Sequence, residues 1–288
     1  MMNEFFSICG VPICLRSQQP LAPLERESLL FRTEERQAEI TVELNDLPHI
    51  ARPIGVACTA PDEIPTWQCG DRICRGSHDT FRPHMHMRAD YAVDDVSRVT
   101  CLVRREYWPW ATRGKYLWPG IMLHYLLLRY GVLFFHASYV AHNGAGILFT
   151  APSGTGKSTQ ARLWQQLRGA RIVNGDKAAV RVGETVTVHG VPFSGTSGIC
   201  ENVSLPLQAI VVLSQAPENT VTRLSPVQAA QSLFPNLFVD RAISQEWQLA
   251  LQHALDLVAR VPIYALACTP DEGAVIALEK TLRGGEQP

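Results

Sequence analysis

Residues 147–159 read ILFTAPSGTGKST, and this stretch decides the fold of the second half of the chain. The apolar residues at its start predict a buried strand, a short glycine-rich run follows, and Lys157 and Ser158 begin an amphipathic helix that extends to Leu167. A glycine-rich turn between a strand and a helix is typical of a phosphate-binding loop. The sequence therefore predicts a P-loop here.

The residue types of this loop suit an anion. Gly154 and Gly156 lack a Cβ, so the backbone can adopt positive φ and turn its N–H groups inward. The helix N-terminus adds about half a positive charge. Lys157 is expected to reach the β and γ phosphates of ATP, and the Ser158 hydroxyl is expected to bind Mg²⁺. The predicted nucleotide-binding residues are Ser153, Gly154, Thr155, Gly156, Lys157, Ser158 and Thr159. Ala151 stands where the standard pattern has its first glycine.

Apolar runs on both sides of this loop predict a mixed α/β fold. Residues 131–140 and 144–151 are separated by His142-Asn143-Gly144, which predicts a hairpin. Further strands are predicted over residues 170–174, 178–182, 185–189, 208–214 and 263–268, and further helices over residues 226–233, 245–259 and 272–282.

The first 120 residues have a different pattern. Short alternating segments at 38–44, 91–96 and 98–104, separated by Pro, Gly and Asp, indicate an antiparallel β-rich region. Residues 121–130 form the first predicted helix. We therefore expect a β-rich region over residues 1–120, where an acceptor could dock, and a nucleotide-binding domain over residues 121–288, with a boundary uncertain by about ten residues.

Composition excludes several classes of protein. A chain of 288 residues that is 46% apolar and 18% charged predicts about two folded domains and little disorder. Its 26 basic and 27 acidic residues argue against a nucleic-acid binder. Eight irregularly spaced cysteines indicate reduced thiols. Because no signal peptide or long apolar span is evident, we expect a cytoplasmic enzyme that does not enter a membrane.

Two further side chains point to chemistry near the loop. His136 lies on the strand before the loop strand, 21 residues ahead of Lys157. Asp176 follows a short strand, 19 residues after Lys157. A carboxylate at that place can bind Mg²⁺ or accept a proton from a nucleophile. His136, Lys157 and Asp176 are the predicted catalytic residues, and Ser158 and Asp176 are the predicted metal ligands.

This layout resembles HPr serine kinase/phosphorylase and, more distantly, ATP-dependent phosphoenolpyruvate carboxykinase. The resemblance covers residues 131–195 and extends to about 215, but it does not include the first 120 residues. It implies an HPr-kinase-like P-loop core that uses ATP and Mg²⁺ to phosphorylate a hydroxyl group. Some HPr-kinase-like bacterial proteins accompany peptide-modification clusters and phosphorylate a peptide serine.

The resemblance also implies roles for individual residues. Residues 153–158 match the phosphate loop of the family, His136 matches its active-site histidine, and Asp176 matches one of its two adjacent aspartates. Gly175 and Lys177 flank Asp176, so the second aspartate is missing. Either His136 or Glu201 could take the role of this missing aspartate. Glu201 is the weakest of the candidate metal ligands.

The resemblance does not extend to the phosphorylase activity. The phosphorylase signature of the family is not visible, and residues 194–202 contain no Lys or Arg where a substrate loop would lie. We therefore do not expect HPr as the acceptor. The remaining acceptors are a peptide, a protein or a small molecule with a hydroxyl group, such as free serine. HPr kinases are oligomers, so a homo-oligomer is compatible with the resemblance.

Two other functions stay open at this point. The chain could bind ATP as a regulatory or scaffold module without transferring phosphate, because one aspartate of the pair is missing. It could also act on a small acid as a carboxykinase does, although only Arg171, Lys177 and Arg181 lie near the motif to bind a carboxylate.

Several other residues have both a functional and a structural interpretation. Lys177 is either a solvated charge or a phosphate contact, and His189 is more readily a turn residue than a catalytic one. Hydroxyl groups next to His189 could bind substrate, and they belong to Ser194, Thr196 and Ser197. A cluster between residues 69 and 86 contains potential metal ligands but lacks a standard zinc spacing. Its members are Cys69, Cys74, His78, His84 and His86.

Overall fold

The chain forms two units, each with its own large mixed sheet. The computed structural model describes residues 1–60, 63–79, 82–193, 195 and 197–284, and only the backbone of residues 78, 79 and 82–84. The first unit comprises residues 1–130 together with Val239–Leu249, and the second comprises Gly131–Phe238 and the chain from Ala250 onward. The predicted mixed α/β class is confirmed.

The first unit contains nine strands within the described residues, in the order β3-β1-β2-β4-β9-β8-β7-β6-β5. They are β1 (Met2–Ile8), β2 (Val11–Ser17), β3 (Arg32–Thr33), β4 (Ile40–Leu47), β5 (Val56–Ala57), β6 (Thr66–Cys69), β7 (Arg72–Asp79), β8 (Arg82–Ala92) and β9 (Arg98–Arg104). Most neighbouring strands pair antiparallel, as the alternating segments predict, but β4 runs parallel to both β2 and β9.

Short helices complete the first unit. They are α1 (Arg26–Leu29), α2 (Trp108–Ala111), α3 (Gly114–Gly120) and α4 (Leu123–Leu128), with a 3₁₀ turn at Arg105–Tyr107. The helix predicted over residues 121–130 is therefore shorter than expected. It begins after Met122, whose φ of 60° is incompatible with a continuing helix.

The second unit is built on the other nine strands of the described chain. They are β10 (Val132–Phe135), β11 (Ala137–His142), β12 (Ala145–Thr150), β13 (Arg171–Asn174), β14 (Ala178–Val182), β15 (Val186–His189), β16 (Ser204–Gln215), β17 (Thr220–Arg223) and β18 (Ile263–Cys268). The order is β10-β14-β15-β16-β12-β11-β13, and β18 lies between β16 and β17.

Four helices and one 3₁₀ turn accompany these strands. They are α5 (Lys157–Arg168), α6 (Pro226–Leu233), the 3₁₀ turn Phe234–Asn236, α7 (Ser244–Arg260) and α8 (Glu272–Gly284). Residues 244–249 of α7 belong to the first unit. No helix within the described ranges combines the length and apolar character needed to cross a bilayer.

The predicted hairpin forms from β11 and β12. Asn143 and Gly144 connect these strands, and both have positive φ, as a type I′ turn requires. β12 then pairs antiparallel with β11 on one side and parallel with β16 on the other. Because residues 146–150 are buried, the end of this strand is held firmly in the core.

The strand predicted over residues 131–140 is divided in two at His136. The first part, β10, pairs with β14, whereas the second part, β11, pairs with β12 and β13. Both parts are apolar and buried, so nothing in the local pattern marks the change of partner. The exchange of neighbours leaves His136 between the two strands.

The segment Val239–Leu249 joins the first unit through a buried ion cluster. Arg75 has no exposed surface, and its guanidinium donates to Asp240 at 2.9 Å and to Glu246. The Tyr91 hydroxyl donates to the same Glu246 carboxylate at 2.8 Å. A buried cation paired with two carboxylates ties this late segment to a strand of the N-terminal sheet.

We expect Arg75→Met to destabilise the first unit strongly. Removal of the cation leaves the buried Glu246 carboxylate without its counter-charge, which costs about 3–5 kcal/mol. The matched control is Arg16→Met, because Arg16 contacts only exposed partners, Glu43 and Asn3, and its loss should cost less than about 1 kcal/mol. Urea denaturation followed by tryptophan fluorescence measures the difference, since five of the six tryptophans lie in the first unit. Equal losses in both variants would contradict the role of Arg75.

Candidate functional site

The sheet of the second unit brings three distant parts of the chain to one edge. β11 runs antiparallel to both β12 and β13, with Ala137 opposite Thr150 and Tyr139 opposite Asn174. The start of β11 therefore lies beside the ends of β12 and β13. This topology places His136, the loop after Thr150 and Asp176 at the same edge.

The loop between β12 and α5 has the conformation that its glycines predict. Gly154 has a φ of 81° and Gly156 a φ of 120°, and neither has an atom within 4 Å of where a Cβ would be. These positions therefore need glycine for backbone conformation and not for space. Ala151 is fully buried and has no positive φ, so the first position of the loop does not require glycine.

Lys157 begins α5 and reaches back over the loop. Its Nζ donates to the carbonyl oxygen of Ala151 at 2.8 Å and to that of Pro152 at 3.1 Å. The residue is 7% exposed. Burial lowers the pKa of this ammonium group, and the nearby Asp176 carboxylate opposes that effect. The ammonium group is thus held against the loop where an anion would bind.

His136 is held by its backbone on both sides. Its N–H donates to the Asn236 carbonyl at 2.8 Å, and its own carbonyl accepts from the Thr150 hydroxyl at 3.0 Å. Burial lowers the pKa of the imidazole, and the positive charges of Lys157 and Lys177 lower it further, against the effect of Asp176. These effects favour the neutral imidazole, which is the form that can accept a proton.

Asp176 is enclosed by the loop that follows β15. Its carboxylate accepts from the Ser197 N–H at 3.2 Å, and its backbone carbonyl accepts from the Ala137 N–H at 3.2 Å. Gly195 approaches so closely that a Cβ there would lie 2.1 Å from Asp176 Oδ2. The close approach fixes the direction of the carboxylate.

These groups meet around one cavity of about 260 Å³. The lining residues are His136, Ser153, Gly154, Gly156, Lys157, Ser158, Thr159 and Asp176. The three predicted catalytic residues and both predicted metal ligands are thus brought together. Of the predicted nucleotide-binding residues, Thr155 does not line this cavity; it lines a neighbouring one.

Glu201 lies elsewhere. It does not line the cavity, and its carboxylate forms an ion pair with Arg171, which is at the start of β13. The alternative in which Glu201 replaces the missing second aspartate has no support in this arrangement.

The contacts that Asn174 and Lys177 make at this site were not evident from the sequence. The buried Asn174 amide accepts from the Val191 N–H at 3.0 Å and donates to the Phe193 carbonyl at 3.0 Å, so it holds the loop that encloses Asp176. The Lys177 ammonium group lies 5.0 Å from the Phe193 ring and 4.9 Å from the Phe238 ring. Neither aromatic residue is near Lys177 in sequence, and no signal in the chain could have paired them.

Burial lowers the pKa of Lys177, although Asp176 opposes the shift. This lysine is therefore not the solvated charge that one interpretation of the sequence offered. It is a partly buried cation that adds to the positive charge near His136.

His189 is a structural residue. Both ring nitrogens lie within hydrogen-bond distance of hydroxyl groups, Nδ1 at 2.6 Å from Ser204 Oγ and Nε2 at 2.8 Å from Thr187 Oγ1. Burial lowers the pKa of the imidazole to about 4, and Arg181 contributes to the shift. Of the neighbouring hydroxyl residues, Ser194 and Thr196 lie outside the described residues, and Ser197 offers its backbone N–H to Asp176.

The described side chains of the Cys/His cluster between residues 69 and 86 do not form a metal centre. Cys69 Sγ and Cys74 Sγ lie 3.6 Å apart, and the His86 ring packs edge-on against Trp110. The side chains of His78 and His84 lie outside the description. Across the described residues, no group of three or more His, Cys, Asp or Glu side chains could hold a metal ion. All eight cysteines are free thiols.

The fold and the site define a class: a mixed α/β protein with a glycine-rich strand–loop–helix, whose helix begins with a lysine facing a histidine and an aspartate. The family model described as "SynChlorMet cassette protein ScmC" matches residues 117–278, which is more than half of the chain. The chain therefore belongs to the ScmC family.

Among solved structures, the chain is similar to the Hpr(Ser) kinase/phosphatase from Coxiella burnetii. The match has 12% sequence identity and a TM-score of 0.30, and it covers 53% of this chain and 89% of that chain. Similarity at this level carries no inference about activity. A search of curated proteins found no match.

We expect His189 to make the second unit sensitive to acid. The pKa is about 6.5 in the unfolded chain and about 4 in the folded one. The stabilisation is therefore present above pH 6.5 and is lost as the pH falls toward 4, by up to about 3 kcal/mol. Urea denaturation at pH 7 and pH 4.5, followed by circular dichroism, should show a smaller pH dependence in His189→Gln than in the wild type. His49→Gln, at an exposed histidine, is the control and should keep the wild-type dependence; identical curves for both variants would refute the assignment.

Proposed function

We propose that this protein is a Mg²⁺/ATP-dependent phosphotransferase that phosphorylates a hydroxyl group. The observation that supports the proposal is that one cavity is lined by the glycine loop, Lys157, His136 and Asp176. An anion-binding loop, a cation, a proton acceptor and a carboxylate are the groups that phosphoryl transfer requires.

In this proposal the loop is a P-loop that holds the triphosphate. The positive φ angles of Gly154 and Gly156 and the N-terminus of α5 provide N–H groups and partial positive charge. Lys157 would exchange its contacts with two loop carbonyls for contacts with the β and γ phosphates. Lys177 would add a second positive charge on the side of His136.

The residues present fit a magnesium ion. Ser158 and Asp176 supply a hydroxyl and a carboxylate oxygen to the same cavity, and Mg²⁺ in phosphoryl-transfer sites takes one or two such ligands together with phosphate oxygens. When bound, the ion neutralises charge on the transferred phosphoryl group. Asp176 is directed by the Ser197 N–H and by the close approach of Gly195.

With Asp176 committed to the metal, His136 is the residue that accepts the proton of the attacking hydroxyl. Burial and the neighbouring lysines lower the pKa of its imidazole and so favour the neutral form that a general base needs. This division of roles compensates for the missing second aspartate of the family that the sequence resembles, since Asp176 is flanked by Gly175 and Lys177.

The acceptor is a serine or threonine of a peptide or protein, or a small molecule with a hydroxyl group such as free serine. Gly195 and Ser197 lie against Asp176, and the sequence over residues 194–202 contains no Lys or Arg, so no basic side chain of this segment selects the acceptor. Because the family name describes ScmC as a cassette protein, the products of neighbouring genes are the first acceptors to test.

A second candidate function is an ATP-binding module without transfer. The lone carboxylate on the cavity favours it, since the described lining contains no second acidic group beside Asp176. Tight binding of Mg·ATP with no phosphate transfer to serine, seryl peptides or the neighbouring gene products would select this function over the kinase.

We expect Lys157→Ala to bind Mg·ATP between about tenfold and a hundredfold more weakly than the wild type, because the cation facing the phosphates is lost. Calorimetric titration of Mg·ATP measures the change without any acceptor. Lys280→Ala, at an exposed lysine of α8 in the same unit, is the control and should bind as the wild type does. Equal affinity in Lys157→Ala and wild type would rule out a working P-loop.

We expect Asp176→Asn to lower the rate of phosphate transfer at least about a hundredfold. The amide keeps an oxygen that can accept from the Ser197 N–H, so the fold should be retained while the charge is lost. A radiolabelled transfer assay compares it with Asp256→Asn, at an exposed aspartate of α7, which should keep the wild-type rate. A loss of less than threefold in Asp176→Asn would remove this residue from the mechanism.

A further inference from the structure

A second cavity adjoins the first along the glycine loop. Its volume is about 410 Å³, within the range of about 300–1,000 Å³ that small-molecule sites occupy. Both cavities are lined by Gly154, Gly156 and Thr159. One ligand can therefore extend from the first cavity into the second across the loop.

The far side of this second cavity is formed by the ends of two parallel strands. Leu213 is on β16, Cys268 ends β18, and Ala216 follows β16, so the wall is mainly apolar. The Ala216 N–H donates to the Cys268 carbonyl at 3.1 Å, which satisfies these backbone groups. A flat apolar ring is the kind of group that such a wall accepts.

One polar side chain of the wall carries an unused acceptor. Gln160, in the first turn of α5, is 2% exposed, and its Nε2 donates to Cys268 Sγ at 3.4 Å. Its Oε1 is buried and accepts no hydrogen bond from any described residue. A buried acceptor without a donor costs about 1–3 kcal/mol, so it is expected to have a partner.

We infer that this second cavity binds the base of the nucleotide, and that Gln160 Oε1 accepts from the exocyclic amino group of adenine. The inference rests on the proposed function, because it assigns the nucleoside part of the same ligand whose phosphates occupy the first cavity. A purine with a keto oxygen at that position would place an acceptor against an acceptor. The side chain therefore selects adenine over guanine.

The test is a set of calorimetric titrations of the full chain with Mg·ATP, Mg·GTP and Mg·tripolyphosphate. Tripolyphosphate reports on the loop alone, because it has no base. We expect the wild type to bind ATP about tenfold more tightly than GTP, which is the effect of one hydrogen bond of about 1.4 kcal/mol. ATP should also bind more tightly than tripolyphosphate.

Two variants separate the base site from the phosphate site. Gln160→Leu removes the acceptor at similar volume and should abolish the preference for ATP over GTP without changing the affinity for tripolyphosphate. Ala216→Phe fills the apolar wall and should reduce the affinity for ATP to that for tripolyphosphate. Gln165→Leu, at an exposed glutamine of the same helix, is the control and should retain the wild-type preference.

Each result decides the inference. An unchanged ATP/GTP ratio in Gln160→Leu, or equal affinities of the wild type for ATP and tripolyphosphate, would overturn the base site while leaving the phosphate site intact. If Gln160→Leu proves unstable by thermal denaturation, Ala216→Phe decides in its place. Failure of the wild type to bind any of the three ligands would instead overturn the proposed function, and this inference with it.

Discussion

The candidate site depends on the pairing of β12 on both of its edges. β11 holds it from one side in antiparallel register, and β16 holds it from the other in parallel register. A strand fixed in this way ends at a defined point in the core, and the glycine loop begins from that point. The conformation of the loop, the start of α5 and the position of Lys157 all follow from it.

The second constraint is charge. Lys157 and Lys177 lie close enough to lower the pKa of His136, and Asp176 alone acts in the opposite direction. Burial weakens the hydration of these groups and strengthens their mutual interaction. The described groups around the site are therefore better suited to a polyanion than to a cation. The same balance of charge favours the neutral form of the His136 imidazole.

Local patterns were sufficient for the elements that surround the loop. The turn at Asn143 and Gly144, the start of α5 and the strand before Asp176 were all expected from residue type and spacing. Local patterns did not predict the structure correctly where one sequence pattern is compatible with two different structures. Residues 131–140 were predicted as one strand because both halves are apolar, whereas the structure divides them at His136.

The sequence by itself determined that a glycine loop joins a buried strand to a helix, and that Asp176 follows a short strand. These features depend on backbone conformation and on periodicity, which are local properties. Only the tertiary structure decided that Val239–Leu249 joins the first unit, that Asn174 orders the loop around Asp176, and that Gln160 keeps a buried acceptor unused. Each of these features depends on residues that are far apart in the sequence. Whether a buried polar group is paired or unpaired can be decided only when its neighbours in the fold are known.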